Sequence, residues 1–214
     1  MTLVRMLPLA ITVVVLTGGG PAWAGVPTDQ LRGRVERVLR VLEDPALKTD
    51  ARAAERRAAI RAIALEIFDF RELSQRALGR HWQARTPAER DEFVQLFADL
   101  LERSYIGKIE TYSGGDRIQY LSETAEADQA TVRTRIVTKG GAEIPVDYRM
   151  HRVGDRWLVY DVAIEGVSLI ANYRAQFNRI IQASSFKGLV DKLSAKKNEA
   201  VGADTAPAKR ASQK

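Results

Sequence analysis

The sequence predicts an α+β domain: helices first, an antiparallel sheet of about four strands next, and two helices last, with helices packed on one face of the sheet. Two observations carry this. Apolar residues recur with the helical period of 3.6 as far as Ile109, then with the strand period of 2 between Ile118 and Ile164, and the helical period returns after Ser168. Within the strand region the apolar residues hold one parity and the charged residues the other, as in a sheet with one covered face.

The first 24 residues read as a signal peptide rather than as fold. Arg5 gives a charged n-region, Met6 to Leu16 a short apolar h-region, and Ala22-Trp23-Ala24 an A-x-A cleavage pattern. An apolar run of about eleven residues is too short for a bilayer core, which takes about twenty. Cleavage after Ala24 is therefore expected, leaving a domain over 25–195. Asp29 to Glu43 carries apolar side chains at 31, 35, 38, 39 and 42, a first helix, and a second starts at Asp50 and aligns Ile60, Ile63 and Ile67.

Phe68-Asp69-Phe70-Arg71-Glu72-Leu73 places Asp69 as N-cap, Glu72 at the capping-box position and Phe68 against Leu73 as a hydrophobic staple; Gly79 closes this short helix. Thr86-Pro87-Ala88-Glu89 repeats the box, with proline at the first helical position. From there Phe93, Leu96, Phe97, Leu100, Leu101, Tyr105 and Ile109 form one wide stripe on a long helix that stops near Ser113-Gly114-Gly115.

In the strands, Ile118 and Tyr120, then Val132, Thr134 and Ile136, then Ile144, Val146, Tyr148 and Met150, then Leu158, Tyr160, Val162 and Ile164 are all even-numbered. Arg133, Arg135, Asp147, Arg149, His151, Trp157 and Asp161 are odd. Strands keep even residues on one face only when paired numbers sum to an even value, which demands loops with an odd number of residues. Three- or five-residue loops are expected at Lys139-Gly140-Gly141 and at Val153-Gly154-Asp155, each with a glycine in the left-handed region. After Ser168, Leu169, Ile170, Tyr173, Phe177, Ile180 and Ile181 mark a further helix. From Lys196 the small residues, proline and lysine cannot bury apolar area, so 196–214 is expected to be a disordered basic tail.

Little here suggests catalysis. His81 and His151 lie far apart, cysteine is absent, and there is no HExxH, no phosphate-binding glycine loop and no G-x-S-x-G, so neither catalytic nor metal residues are assigned and no cofactor is expected. With no disulfide available, the core alone must hold an exported domain. The formal charge of +6 falls to +5 once Arg5 leaves with the leader. For an exported chain this mild basic character fits anionic lipid or an acidic partner better than nucleic acid. Asp147 and Asp161, with Arg133, Arg135 and Arg149 as cross-strand partners, are expected to be solvated ion pairs. What stands out is the quantity of large apolar side chain aimed at one layer, and periodicity does not distinguish a filled core from a lined cavity.

Four segments, "FDFRELSQRALGRHW", "TPAERDEFVQLFADLLERSYIGKIETY", "ATVRTRIVTKGGAEIPVDYRMHR" and "RWLVYDVAIEGVSLIANYRAQFNRII", resemble the MlaC family of periplasmic lipid-binding proteins, also called toluene-tolerance auxiliary proteins. The similarity runs from about Leu31 to Leu193, and its most specific part is Tyr160 to Ser168, Y-D-x-x-x-E-G-V-S. The resemblance implies an NTF2-like sheet and a deep apolar cavity between sheet and helices that holds phospholipid acyl chains. It also implies a periplasmic shuttle between an inner-membrane ABC transporter complex, with its MCE-domain protein, and a lipoprotein complex at the outer membrane. Members near hopanoid-biosynthesis loci look similar, so a hopanoid or other lipid is an alternative cargo.

With that prior, the cavity wall belongs on the even face, since charge against acyl chains is costly. The residues expected to touch lipid are Phe97, Leu101, Tyr105, Tyr148, Met150, Tyr160, Val162, Ile164, Val167, Tyr173 and Phe177, with Val167 at the corner between strand and helix. An NTF2-like enzyme would need a carboxylate on that face, and parity puts Asp147 and Asp161 on the other. A cavity-free adaptor is the third option.

Overall fold

Helix caps and glycine turns divide the chain as the sequence suggests, with differences at the sheet's outer end. The computed structural model describes residues 25–110 and 116–205, with backbone alone at 198–205. The expected leader, the glycine stop after the long helix and the last part of the expected tail lie outside the described residues. The helices are α1 (Val26–Glu43), α2 (Ala53–Ile67, after a 3-10 turn at Asp50–Arg52), α3 (Phe70–Leu78), α4 (Pro87–Glu110), α5 (Leu169–Ala183) and α6 (Phe186–Thr205). The strands are β1 (Arg117–Glu126), β2 (Gln129–Val137), β3 (Glu143–Val153), β4 (Arg156–Ile164) and β5 (Val167–Ser168), antiparallel in the order β1-β2-β3-β4-β5. The fifth strand, two residues long, was not foreseen.

The Thr86 box forms in full: Thr86 N–H donates to Glu89 Oε2 at 2.8 Å and Glu89 N–H to Thr86 Oγ1 at 3.2 Å. The Asp69 box forms by half. Asp69 Oδ1 accepts from Glu72 N–H at 2.9 Å, but the Asp69 N–H goes to Val159 O at 3.0 Å, and Glu72 pairs instead with Arg76. The sheet takes the donor that the box would have used, because Phe68 bridges to Val159 at the uncovered edge of β4. Farther out on that edge, α1 supplies the partners: Gln30 Oε1 accepts Trp157 N–H at 2.9 Å and Arg34 donates to Trp157 O at 2.8 Å.

The β2–β3 loop keeps the expected parity, with Val137 opposite Glu143 and a five-residue connection in which Gly141 has φ 83°. The β3–β4 loop does not. Val153 pairs with Arg156, so the turn is the two residues Gly154-Asp155, with Gly154 at φ 62°. A bulge at Tyr160 then restores the parity, so that Tyr148 faces Val162 and Val146 faces Ile164, while Met150 faces Val159. The outer half of β4 is thereby inverted relative to expectation. Trp157 and Val159 lie on the covered face, and Leu158 and Tyr160 on the other. The same device acts in β1, where a two-residue turn at Ala127-Asp128 is corrected by a bulge at Leu121.

Two cores result. On the covered face of the sheet, Val132, Val146, Met150, Trp157, Val159 and Val162 pack with Leu31 of α1 and with Ile63 and Ile67 of α2. The second core lies among helices: Leu73 and Leu78 of α3, Phe93 and Phe97 of α4, Phe177 of α5, and Phe186 and Leu189 of α6. Helices α3 and α5 tie this helical layer to β4, whereas α4 packs mainly on α6 and α3. The α6 helix continues past Ala195 to Thr205, its backbone extending beyond the boundary set from the sequence. Lys197 pairs with Asp99 of α4 at 2.7 Å.

Candidate functional site

The two cores meet along α5, and the Tyr160–Ser168 segment fixes how α5 leaves the sheet. Glu165 and Gly166 have φ of 50° and 80° between the paired residues Ile164 and Val167, the left-handed pair of a tight two-residue hairpin turn. Ser168 follows as N-cap, its Oγ accepting Ala171 N–H at 3.0 Å. Asp161, one strand back, holds that cap from beneath. Its carboxylate accepts Ser168 Oγ–H at 2.6 Å, Ile170 N–H at 3.1 Å and Arg149 Nη1–H at 2.8 Å. Asp161 is 4% exposed, so the expected solvated ion pair is corrected: the carboxylate is buried where α5 covers the odd face at the sheet edge, and it completes the N-terminal turn of α5.

From that anchor α5 presents Leu169, Tyr173 and Phe177 on one stripe, spaced by four. Leu169 packs with the sheet core, Phe177 lies inside the helical core, and Tyr173 lies between them, its ring 5.1 Å from Phe97 and 5.6 Å from Phe177. Phe68 touches both cores. Each core also has half-buried large side chains: Leu101 of α4 on the helical core, Tyr148 of β3 and Ile164 of β4 on the sheet core, and Tyr105 of α4 beside Tyr173. Nothing on α4 beyond Asp99 is fully buried. Burial pushes the Tyr105 hydroxyl up to about 12, with Tyr173 beside it and hydrogen-bonded to it adding to the rise. Burial alone pushes Tyr148 up to about 12. Tyr120 is raised by burial and then by the neighbouring Tyr148. All three stay neutral phenols at neutral pH, able to donate a hydrogen bond in an apolar setting.

The structure does not gather the eleven sequence-chosen residues on one wall. Tyr148, Met150, Val162 and Ile164 belong to the sheet core; Phe97, Leu101, Tyr173 and Phe177 belong to the helical core; Tyr105 lies beside Tyr173. Met150 and Phe97 are fully enclosed by protein. Two placements need correction. Tyr160 occupies the bulge and points to the odd face, where Arg76 lies 3.9 Å over its ring and His151 packs edge-on at 5.8 Å. Val167 is 60% exposed, because the tight turn carries it to the outside of the corner. Leu169 and Phe68, which join the cores, were not chosen from the sequence, although the helical spacing of Leu169 to Tyr173 signalled the first.

Elsewhere, an open groove of about 530 Å³ between α1 and α2 is lined by Arg37, Arg40, Val41 and Ile63 among others. Among the described residues, no group of three or more His, Asp or Glu side chains is placed to hold a metal ion. Among them too, no helix is long and apolar enough to cross a membrane.

Comparison with known proteins gives three findings. The family model described as MlaC protein matches residues 32–195. The intermembrane phospholipid transport system binding protein MlaC of Haemophilus influenzae is 25% identical over 123 residues, which is 55% of this chain. The chain spans only 57% of that relative's length. A phospholipid-binding protein from Ralstonia solanacearum, solved in complex with a phospholipid, superposes with a TM-score of 0.72 at 25% identity, covering 81% of this chain and 97% of the other.

Proposed function

The chain belongs to the MlaC protein family, and we propose that it is a periplasmic lipid carrier whose acyl-chain site is the seam between the sheet core and the helical core. The observation that carries this reading is the likeness, over most of both chains, to a solved protein that holds a phospholipid; half-buried Leu101 and Tyr173 on the helical core and Tyr148 and Ile164 on the sheet core, with Tyr105 beside Tyr173, support the seam as its place. Acyl chains enter as the helical layer moves away from the sheet core, with Leu169 and Phe68 on the line of opening. Phe97, Met150, Val162 and Phe177 become deeper wall, and Val167 stands at the mouth.

About thirty methylenes in two chains, at about 0.8 kcal/mol each, give on the order of 24 kcal/mol relative to water. A bilayer offers nearly the same, so movement from membrane to pocket is close to balanced, and no catalytic step is required. Direction then comes from partners that bind the open and closed forms differently. The proposed partners are an inner-membrane ABC transporter complex with its MCE-domain protein and an outer-membrane lipoprotein complex. Native mass spectrometry of the purified protein tests the class of function. Co-purified phospholipid supports the carrier; an empty protein that takes up no phospholipid from vesicles contradicts it.

A further inference from the structure

One half-buried carboxylate from a distant strand sits at the start of the first helix. Glu123 lies at the N-terminal end of α1, and its Oε1 accepts the backbone N–H of Gly25 at 2.8 Å. Its Oε2 accepts the N–H of Thr28 at 2.8 Å and the Thr28 hydroxyl at 2.6 Å. The position is built by the sheet. The bulge at Leu121 sets Glu123 opposite Val132, on the covered face, whereas its neighbours Ser122 and Thr124 are exposed. Gly25 takes φ 94°, and the α1 N-terminus has no side-chain cap of its own, so Glu123 does the capping from a distant strand.

Gly25 is also the residue after Ala22-Trp23-Ala24. Hydrolysis of the Ala24–Gly25 bond adds water across it; the leader departs with the Ala24 carboxylate, and Gly25 keeps an amine that is protonated at neutral pH. We infer that Glu123 is a receptor for the mature N-terminus: removal of the leader turns a neutral hydrogen bond into an ammonium–carboxylate pair, so the domain is stabilised by its own processing. A positive charge at a helix N-terminus is unfavourable by itself, and Glu123 reverses that sign. The surrounding recess of about 270 Å³ is lined by Thr28, Asp29, Arg32, Tyr120, Leu121 and Ser122 besides the pair itself. Its other charges are accounted for: Arg32 lies 3.6 Å from Asp29 and stacks 4.7 Å over the Tyr120 ring.

The test compares the chain beginning at Gly25 with a free amine against the same chain N-acetylated at Gly25, each with Glu123 and with Glu123→Gln. At pH 6 the free amine is expected to raise Tm by about 2–4 °C over the acetylated form. The amine's pKa is raised in the folded state by its partner. The advantage is therefore complete below about 8, the usual α-amino value, and is lost as pH rises through the folded value. With Glu123→Gln the advantage vanishes or reverses. Equal Tm for free and acetylated chains that retain Glu123 would overturn the inference, and so would an advantage of the same size in the Gln variant. If Glu123→Gln fails to fold, the pH dependence of the Glu123 pair of chains still decides.

Discussion

Asp161→Ala is the most informative single change, because Asp161 ties the last long strand to the helix that bridges both cores. The carboxylate is buried and accepts three bonds, from Ser168 Oγ, Ile170 N–H and Arg149 Nη1. Alanine leaves the buried Ile170 N–H unpaired, at about 1–3 kcal/mol. It also removes the support of Ser168, an N-cap interaction worth about 1 kcal/mol. Arg149, whose side chain is 46% exposed, rehydrates, and its share of the pair is at most about 1 kcal/mol. The total is about 2–5 kcal/mol, which corresponds to a fall in Tm of roughly 4–20 °C. Urea unfolding followed by circular dichroism measures it directly. Arg149→Ala leaves the carboxylate its bonds from Ser168 Oγ–H and Ile170 N–H, and is expected to cost less than Asp161→Ala. A loss below about 1 kcal/mol for Asp161→Ala, or equal losses for the two variants, would refute the view that the buried cap of α5 rather than the ion pair carries the stability.

Three further outcomes are expected. Gly166→Ala should cost about 1–2 kcal/mol in urea unfolding from backbone strain alone, since φ is 80° and a Cβ there meets nothing within 4 Å; an unchanged midpoint would contradict the turn assignment. Tyr105 and Tyr148, held neutral up to about 12, should ionise late in an ultraviolet titration. Because the unfolded phenols ionise near 10, the stability they contribute is complete below pH 10 and is lost as pH rises toward 12. Tyr105→Phe and Tyr148→Phe should each remove one late-titrating phenol. Ile164→Glu, half-buried at the seam, should abolish phospholipid loading in native mass spectrometry. Val167→Glu, largely exposed, should reduce it only slightly, and the opposite ranking would put the acyl chains outside the corner.

Much of this fold was legible where local chemistry decides it. Thr86-Pro87-Ala88-Glu89 and Asp69 announce their helix starts, and the switch of period marks the passage from α4 to β1. Parity located the covered face through β2 and the inner part of β3 and β4. It failed on Trp157-Leu158-Val159-Tyr160 for a physical reason. Four consecutive large apolar residues carry no alternation to read, and a bulged residue changes the count without changing composition. The reciprocal half of the Asp69 box failed similarly, because a strand edge distant in sequence claims the Asp69 N–H. Periodicity also says which residues are buried but not against what, so Phe97 and Met150 could be placed inside while the division into two cores, with Leu169 and Tyr173 joining them, could not. The exposed position of Val167 follows from Glu165-Gly166 forming a two-residue turn.

The central claim is that acyl chains lie in the seam, and a phospholipid bearing a photoactivatable group midway along one acyl chain tests it. After loading from vesicles, irradiation and peptide mapping, adducts are expected on Leu101 or Tyr105 of α4, on Tyr148 or Ile164 of the sheet, and on Leu169 or Tyr173 of α5. Adducts confined to the open groove between α1 and α2, or spread over the odd face around Tyr160 and His151, would contradict it.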